Sequence, residues 1–166
     1  MEHLEQGLTR FEGNEIRDGL AAARWCLDHH LIQQGFTILQ ETLISHLVAK
    51  CGMDHRKSVN RQLATQAVHC LKKQEDEWKS LARENKSHIR KFHDVLLETP
   101  RFVKSFKSIY AKLGSLRNDI DHSGFVEKPA NSADFAGRLE KLIRDVAAFI
   151  ESTEFEKRGG IDSPEA

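Results

Sequence analysis

PRFVKSFKSIYAKLGSLRNDIDH, from Pro100 to His122, carries the pattern of one long amphipathic helix. Stepping 100° per residue, Phe102, Phe106, Ile109, Leu113, Leu116 and Ile120 fall within an arc of roughly 80°, the core-facing stripe of an amphipathic helix. Pro100 suits a first helical position, where its missing N–H is not needed, and Ser123-Gly124 stops the helix. On the same projection Lys104, Lys107, Ala111, Asn118 and His122 gather within roughly 60° of one another on a different face. A basic, polar stripe therefore leads to the histidine.

The 3.6-residue period continues in both directions, and no segment alternates strictly enough to predict a strand. Asn14 is placed to cap a first helix through Ile16, Leu20, Ala23 and Leu27, ending near His29-His30. A second runs from about Leu31 to Lys50 with Phe36, Leu39, Leu43 and Leu47 on one side, and Cys51-Gly52 stops it. So short a connection predicts an antiparallel pair. A third helix starts near Ser58, a fourth pattern spans Glu75 to Thr99 around Trp78, Leu81, Ile89, Phe92, Val95 and Leu96, and Ser132 caps a last helix carrying Phe135, Leu139, Leu142, Ile143, Val146 and Ile150. The expected fold is all-α, a bundle of five or six helices. Residues 1–14 are expected to form an N-terminal extension or linker remnant, 15–152 the helical domain, and 153–166 a disordered tail.

With 166 residues and 30% of them charged, the chain suits one domain with a sizeable core. No apolar run approaches the ~18 residues that span a bilayer, and the N-terminus lacks the basic-then-apolar order of a signal peptide, so no membrane partner and a cytoplasmic location are expected. Cys26, Cys51 and Cys70 are an odd number without a CxxC pair, which points to reduced, packed thiols. Cys51, His55, His69 and Cys70 fit no zinc spacing, and no metal or cofactor is expected. Trp25 and Trp78 read as core or interface anchors.

Lysine plus arginine equals aspartate plus glutamate at 25 each, so nothing steers the whole molecule toward nucleic acid and any anion site is local. Locally the balance is different. Between Lys86 and His122, eight lysines and arginines face four acidic residues, a net of +4. An arginine and a histidine delivered to one place suit the cutting of RNA, whose 2′-hydroxyl is a built-in nucleophile beside the phosphate. Histidine can take or give the proton near neutral pH, guanidinium can hold the phosphate oxygens, and Asn118 can position either. The plainer alternative stays open: Arg117 and Asp121 form an i,i+4 pair and His122 answers the helix macrodipole. Arg117 and His122 stand about 140° apart on an ideal helix, which favours a site formed between molecules.

Arg117-Asn118-Asp119-Ile120-Asp121-His122 is similar to the R-N-x-x-x-H form of the HEPN ribonuclease motif. AARWCLDHHLIQQGFTILQETLISHL, Ala22 to Leu47, resembles the opening helical hairpin of the HEPN domain in CRISPR-associated type III ancillary ribonucleases, through Trp25, Cys26, Leu31, Gln33, Gln34, Leu39 and Glu41. The resemblance implies a small helical bundle and a homodimer in which both copies of Arg117, Asn118 and His122 cut single-stranded RNA without a metal, leaving a cyclic phosphate. Lys104 and Lys107 would contact RNA, and Glu41 could support Arg117 through a charge-assisted bond. Such relatives carry an N-terminal CARF sensor domain, and no βαβ pattern precedes Ala22. The chain is then either an excised C-terminal domain or a stand-alone protein under another regulatory partner. HEPN toxins paired with nucleotidyltransferases often carry a tyrosine where Gly124 stands here, which argues against a toxin–antitoxin pair. Two alternatives stay open: a non-catalytic helical module that binds RNA or a nucleotide, or dimerises, and the HEPN toxin of a toxin–antitoxin pair.

Overall fold

The computed structural model describes residues 13–98, 100–121 and 134–158, with the backbone alone at 121 and 155–158. Among them the secondary structure is all helical: α1 (Glu15–Asp28), α2 (Ile32–Lys50), α3 (Ser58–Cys70), a 3₁₀ turn (Glu75–Glu77), α4 (Ser80–Glu84), α5 (Lys86–Leu97), α6 (Pro100–Asp121) and α7 (Phe135–Arg158). The expected all-α bundle is the observed fold. None of these helices is long and apolar enough to cross a membrane.

Asn14 caps α1 as its sequence position predicts, its Oδ1 accepting from the N–H groups of Ile16 and Arg17 at 3.2 and 3.3 Å. The α1 end is a Schellman turn: Leu31 N–H reaches Cys26 O at 2.8 Å and His30 N–H reaches Leu27 O at 3.1 Å. His30 takes the left-handed conformation there (φ +59°), a position more often filled by glycine. The same pair of bonds closes α2 from Met53 and Gly52, and Gly52 supplies the positive φ without a steric penalty.

α2 is the central helix and packs against α1, α3, α5, α6 and α7. Phe36, Leu39, Leu43 and Leu47 are fully buried, and Ile44 and Val48 are buried on a further face. Gly35 lets α7 approach, since a Cβ there would press on the Leu139 side chain. Phe102 and Phe106 of α6 meet Phe149 of α7 with ring centroids 5.0 and 6.0 Å apart.

Two expectations need correction or extension. The single helix predicted over Glu75 to Thr99 is divided into a 3₁₀ turn, α4 and α5. Trp78 is extended (φ −74°, ψ 143°), which turns its ring inward until it is 5% exposed. Its indole N–H donates to Lys73 O at 3.3 Å, so burial and one hydrogen bond override a locally helical pattern. The last helix also continues to Arg158, into the segment read as a tail. Ser132, the expected cap of that helix, lies outside the described residues.

Candidate functional site

The apolar arc read from Pro100–His122 is the buried face of α6: Phe102, Phe106, Ile109, Leu113 and Leu116 are all buried, and Ile120 packs half-buried against the same cluster. That packing fixes the rotation of the helix and thereby the direction of every polar side chain on it.

Arg117 sits at the border of this face, half-buried, and its Nη1 donates to Gln40 Oε1 of α2 at 3.2 Å. Gln40 was not among the residues singled out from the sequence, though a signal was present. By helical spacing it shares an arc with Phe36, Leu43 and Leu47, and a polar side chain on a buried stripe needs a hydrogen-bond partner. The arginine is that partner.

Asn118 is exposed, next to Arg117 and on the outer face of α6, while Asp119 is 9% exposed and points to a different side. Asp119 enters the local charge count as one of four acidic residues, and its burial is a feature the sequence does not signal. His122 and the side chain of Asp121 lie outside the described residues.

The basic stripe divides between two neighbourhoods. Lys104 is exposed on the edge of a cleft between α6 and α7. Lys107 is half-buried and turned toward the end of α3; burial, and then the charge of Lys72, hold its ammonium below the usual lysine pKa. One turn further, Tyr110 meets His69 edge to face, with centroids 6.1 Å apart. The two lysines are close in projection but have different surroundings.

Glu41 does not support Arg117. Its carboxylate pairs with Arg61 of α3 at 3.2 Å, because helical rotation from Gln40 to Glu41 carries the side chain from the α6 side of α2 to the α3 side. The contact to Arg117 expected of Glu41 is made instead by its neighbour Gln40.

Other polar groups have structural explanations. His46 Nε2 lies 2.8 Å from Thr153 Oγ1 in the buried α2–α7 interface, and Thr153 itself donates to Ile150 O. His55 pairs with Glu15, which also holds Arg56 at 2.7 Å and so ties the α2–α3 loop to the start of α1. The four histidines and cysteines considered for zinc go to separate places, and among the described residues no three ligand-type side chains gather around a common point. Cys26, Cys51 and Cys70 are buried free thiols, and burial pushes the thiols of Cys26 and Cys70 above the usual value.

A comparison of the chain with protein families, curated proteins and solved structures finds no match.

Proposed function

We propose that this chain is a HEPN-type endoribonuclease that cuts single-stranded RNA without a metal, at a site shared by two copies, in CRISPR-associated antiviral defence. One observation carries the reading. The two stretches that resemble the HEPN domain, Ala22–Leu47 and Arg117–His122, are separate in sequence, and the Arg117–Gln40 bond joins them across 77 residues. The hairpin that carries one half of the resemblance thus sets the direction of the arginine that carries the other half, which supports the reading.

The chemistry follows from the residue types. Guanidinium offers N–H donors in a planar fork, and Gln40 engages one of them, helping to orient a group that can hold a phosphate whose charge grows during in-line attack. His122 takes the 2′-hydroxyl proton as the 2′-oxygen bonds to phosphorus, and its partner copy protonates the departing 5′-oxygen. The products are a cyclic phosphate and a 5′-hydroxyl end. Asn118, exposed beside the arginine, positions phosphate or imidazole. Two-fold pairing brings both copies of the motif together, and control comes from a CARF-type sensor domain or another regulatory protein.

Arg117→Ala and His122→Ala test the reading. Each is expected to lower RNA cleavage by about a hundredfold or more in a protein that still folds, with Arg117→Ala also losing about 1 kcal/mol of stability for its bond to Gln40. Retained cutting by a folded His122→Ala protein removes His122 from the chemistry. Binding without any cut product, steeply weakened by salt, identifies a non-catalytic RNA module instead, and co-purification with a nucleotidyltransferase identifies a toxin.

A further inference from the structure

We infer that the cleft between α6 and α7 is a second contact for the RNA strand, holding its phosphates at a distance from the motif. The identity of the occupant rests on the ribonuclease reading; the cleft itself stands on its own geometry.

The cleft has a volume of about 440 Å³. Arg101, Lys104 and Lys112 of α6 stand exposed around it, against the single carboxylate of Asp145 from α7. Among the described residues none of these three cations forms an ion pair, whereas Lys50 and the α7 arginines Arg138 and Arg144 are paired to Glu98, Asp134 and Glu140. In a molecule whose formal charge is zero, this is a local excess of positive charge left for an external anion.

The lining suits a nucleic-acid strand better than a bare ion. Between the cations lie the hydroxyls of Ser105 and Ser108, and the floor is apolar, formed by Phe102, Ile109 and Phe149. Cations that follow a backbone, combined with an apolar surface for sugar and base, are the arrangement by which proteins hold single strands. The cleft also has a direction. Lys104 belongs to the same stripe of α6 as Asn118, about 21 Å further along the helix at 1.5 Å per residue. Lys112 is only about 9 Å from Asn118 along the axis, so a strand lying along α6 meets the near edge of the cleft within one or two nucleotides of the motif and Lys104 a few nucleotides further on.

The test is binding of a fluorescein-labelled single-stranded RNA of about 12 nucleotides, followed by anisotropy with EDTA in the His122→Ala background. It compares that parent, Arg101→Glu/Lys104→Glu/Lys112→Glu, a control reversing Lys57, Lys73 and Lys91 to glutamate, and Asp145→Asn. The cleft triple is expected to weaken binding by about tenfold or more and to lower the salt slope by roughly 2, for three lost phosphate contacts. Asp145→Asn is expected to tighten binding, a direction that misfolding does not mimic, and the control to weaken it less. Binding by the cleft triple equal to the parent, an equal loss in the control, or no RNA binding by the parent overturns the inference. Cleavage of the same RNA by the His122-containing protein separates the two claims. RNA that is bound through the cleft but never cut leaves the cleft and removes the ribonuclease; RNA that is cut but bound independently of the cleft does the reverse.

Discussion

The guanidinium of Arg117 is held by the side-chain amide of Gln40, Nη1 to Oε1 at 3.2 Å, at the contact between α6 and α2. Both residues are half-buried, so the bond sets the arginine's direction more firmly than an exposed contact does.

Substitutions at Gln40 therefore separate positioning from folding. Gln40→Leu is expected to cost about 1 kcal/mol of stability for the lost hydrogen bond, and to lower RNA cleavage without reaching the loss in Arg117→Ala. Gln40→Glu keeps an acceptor and strengthens the bond to the guanidinium, so its stability is retained, yet its charge competes with phosphate and cleavage falls. Chemical denaturation beside initial cleavage rates checks both. Equal rates in all three proteins would detach Gln40 from function.

Gly19 lies against Thr42 where α1 crosses α2, and a Cβ at position 19 would overlap the threonine hydroxyl, which already donates to Ile38 O at 2.8 Å. Gly19→Ala is expected to destabilise by about 1–3 kcal/mol through overpacking. Adding Thr42→Ala removes the overlapping atoms and should recover most of the loss, a coupling that a double-mutant cycle of denaturation midpoints would measure.

Trp78 is the residue that breaks the fourth helical pattern. Trp78→Phe keeps the ring packed near His93 but removes the bond to Lys73 O, at an expected cost of about 1 kcal/mol. Trp78→Ala empties the site, at about 3–5 kcal/mol. Thermal melts of the two variants rank the contributions.

These residues also show how far the fold is legible in the sequence. Asn14 and the arc from Phe102 to Ile120 follow from local rules, capping and a 3.6-residue period, and the structure uses both as those rules predict. EDEWKSLAREN mixes strong helix formers (Glu75, Glu77, Lys79, Leu81, Ala82, Arg83, Glu84) with weaker ones and holds no Gly or Pro, so nothing local reveals that Trp78 must turn inward; that demand comes from Lys73 and His93, which the fold supplies. At the candidate site the exposed place of Asn118 is readable from the wheel. The exchange of Glu41 for Gln40 is not, because a one-residue step is a 100° rotation and only the packed neighbours tell which helix each side chain meets.

Glu75 carries the clearest pH dependence. Hydrogen bonds from Lys86 and Arg90, with their charges, hold its carboxyl below the ordinary value of 4.5, outweighing a smaller effect of burial. With a folded pKa below the unfolded one, the group's stabilisation is fully present above the unfolded value and is lost as pH falls through the folded value. The difference in Tm between the wild type and Glu75→Gln is thus expected to be positive near neutral pH and to shrink on acidification below 4.5. Added salt should also reduce it, since all three groups are at the surface. A difference that grows on acidification would contradict the assigned ion pairs.

The central claim is 2′-hydroxyl attack by a metal-independent ribonuclease. Its most direct test is incubation of the purified protein, with EDTA, with a labelled single-stranded RNA and with the same RNA carrying one deoxyribose at the cut site. The account predicts cutting of the first, with a cyclic phosphate end, and an intact bond at the deoxyribose of the second. Cutting at the deoxyribose, or RNA left whole in both, would contradict it.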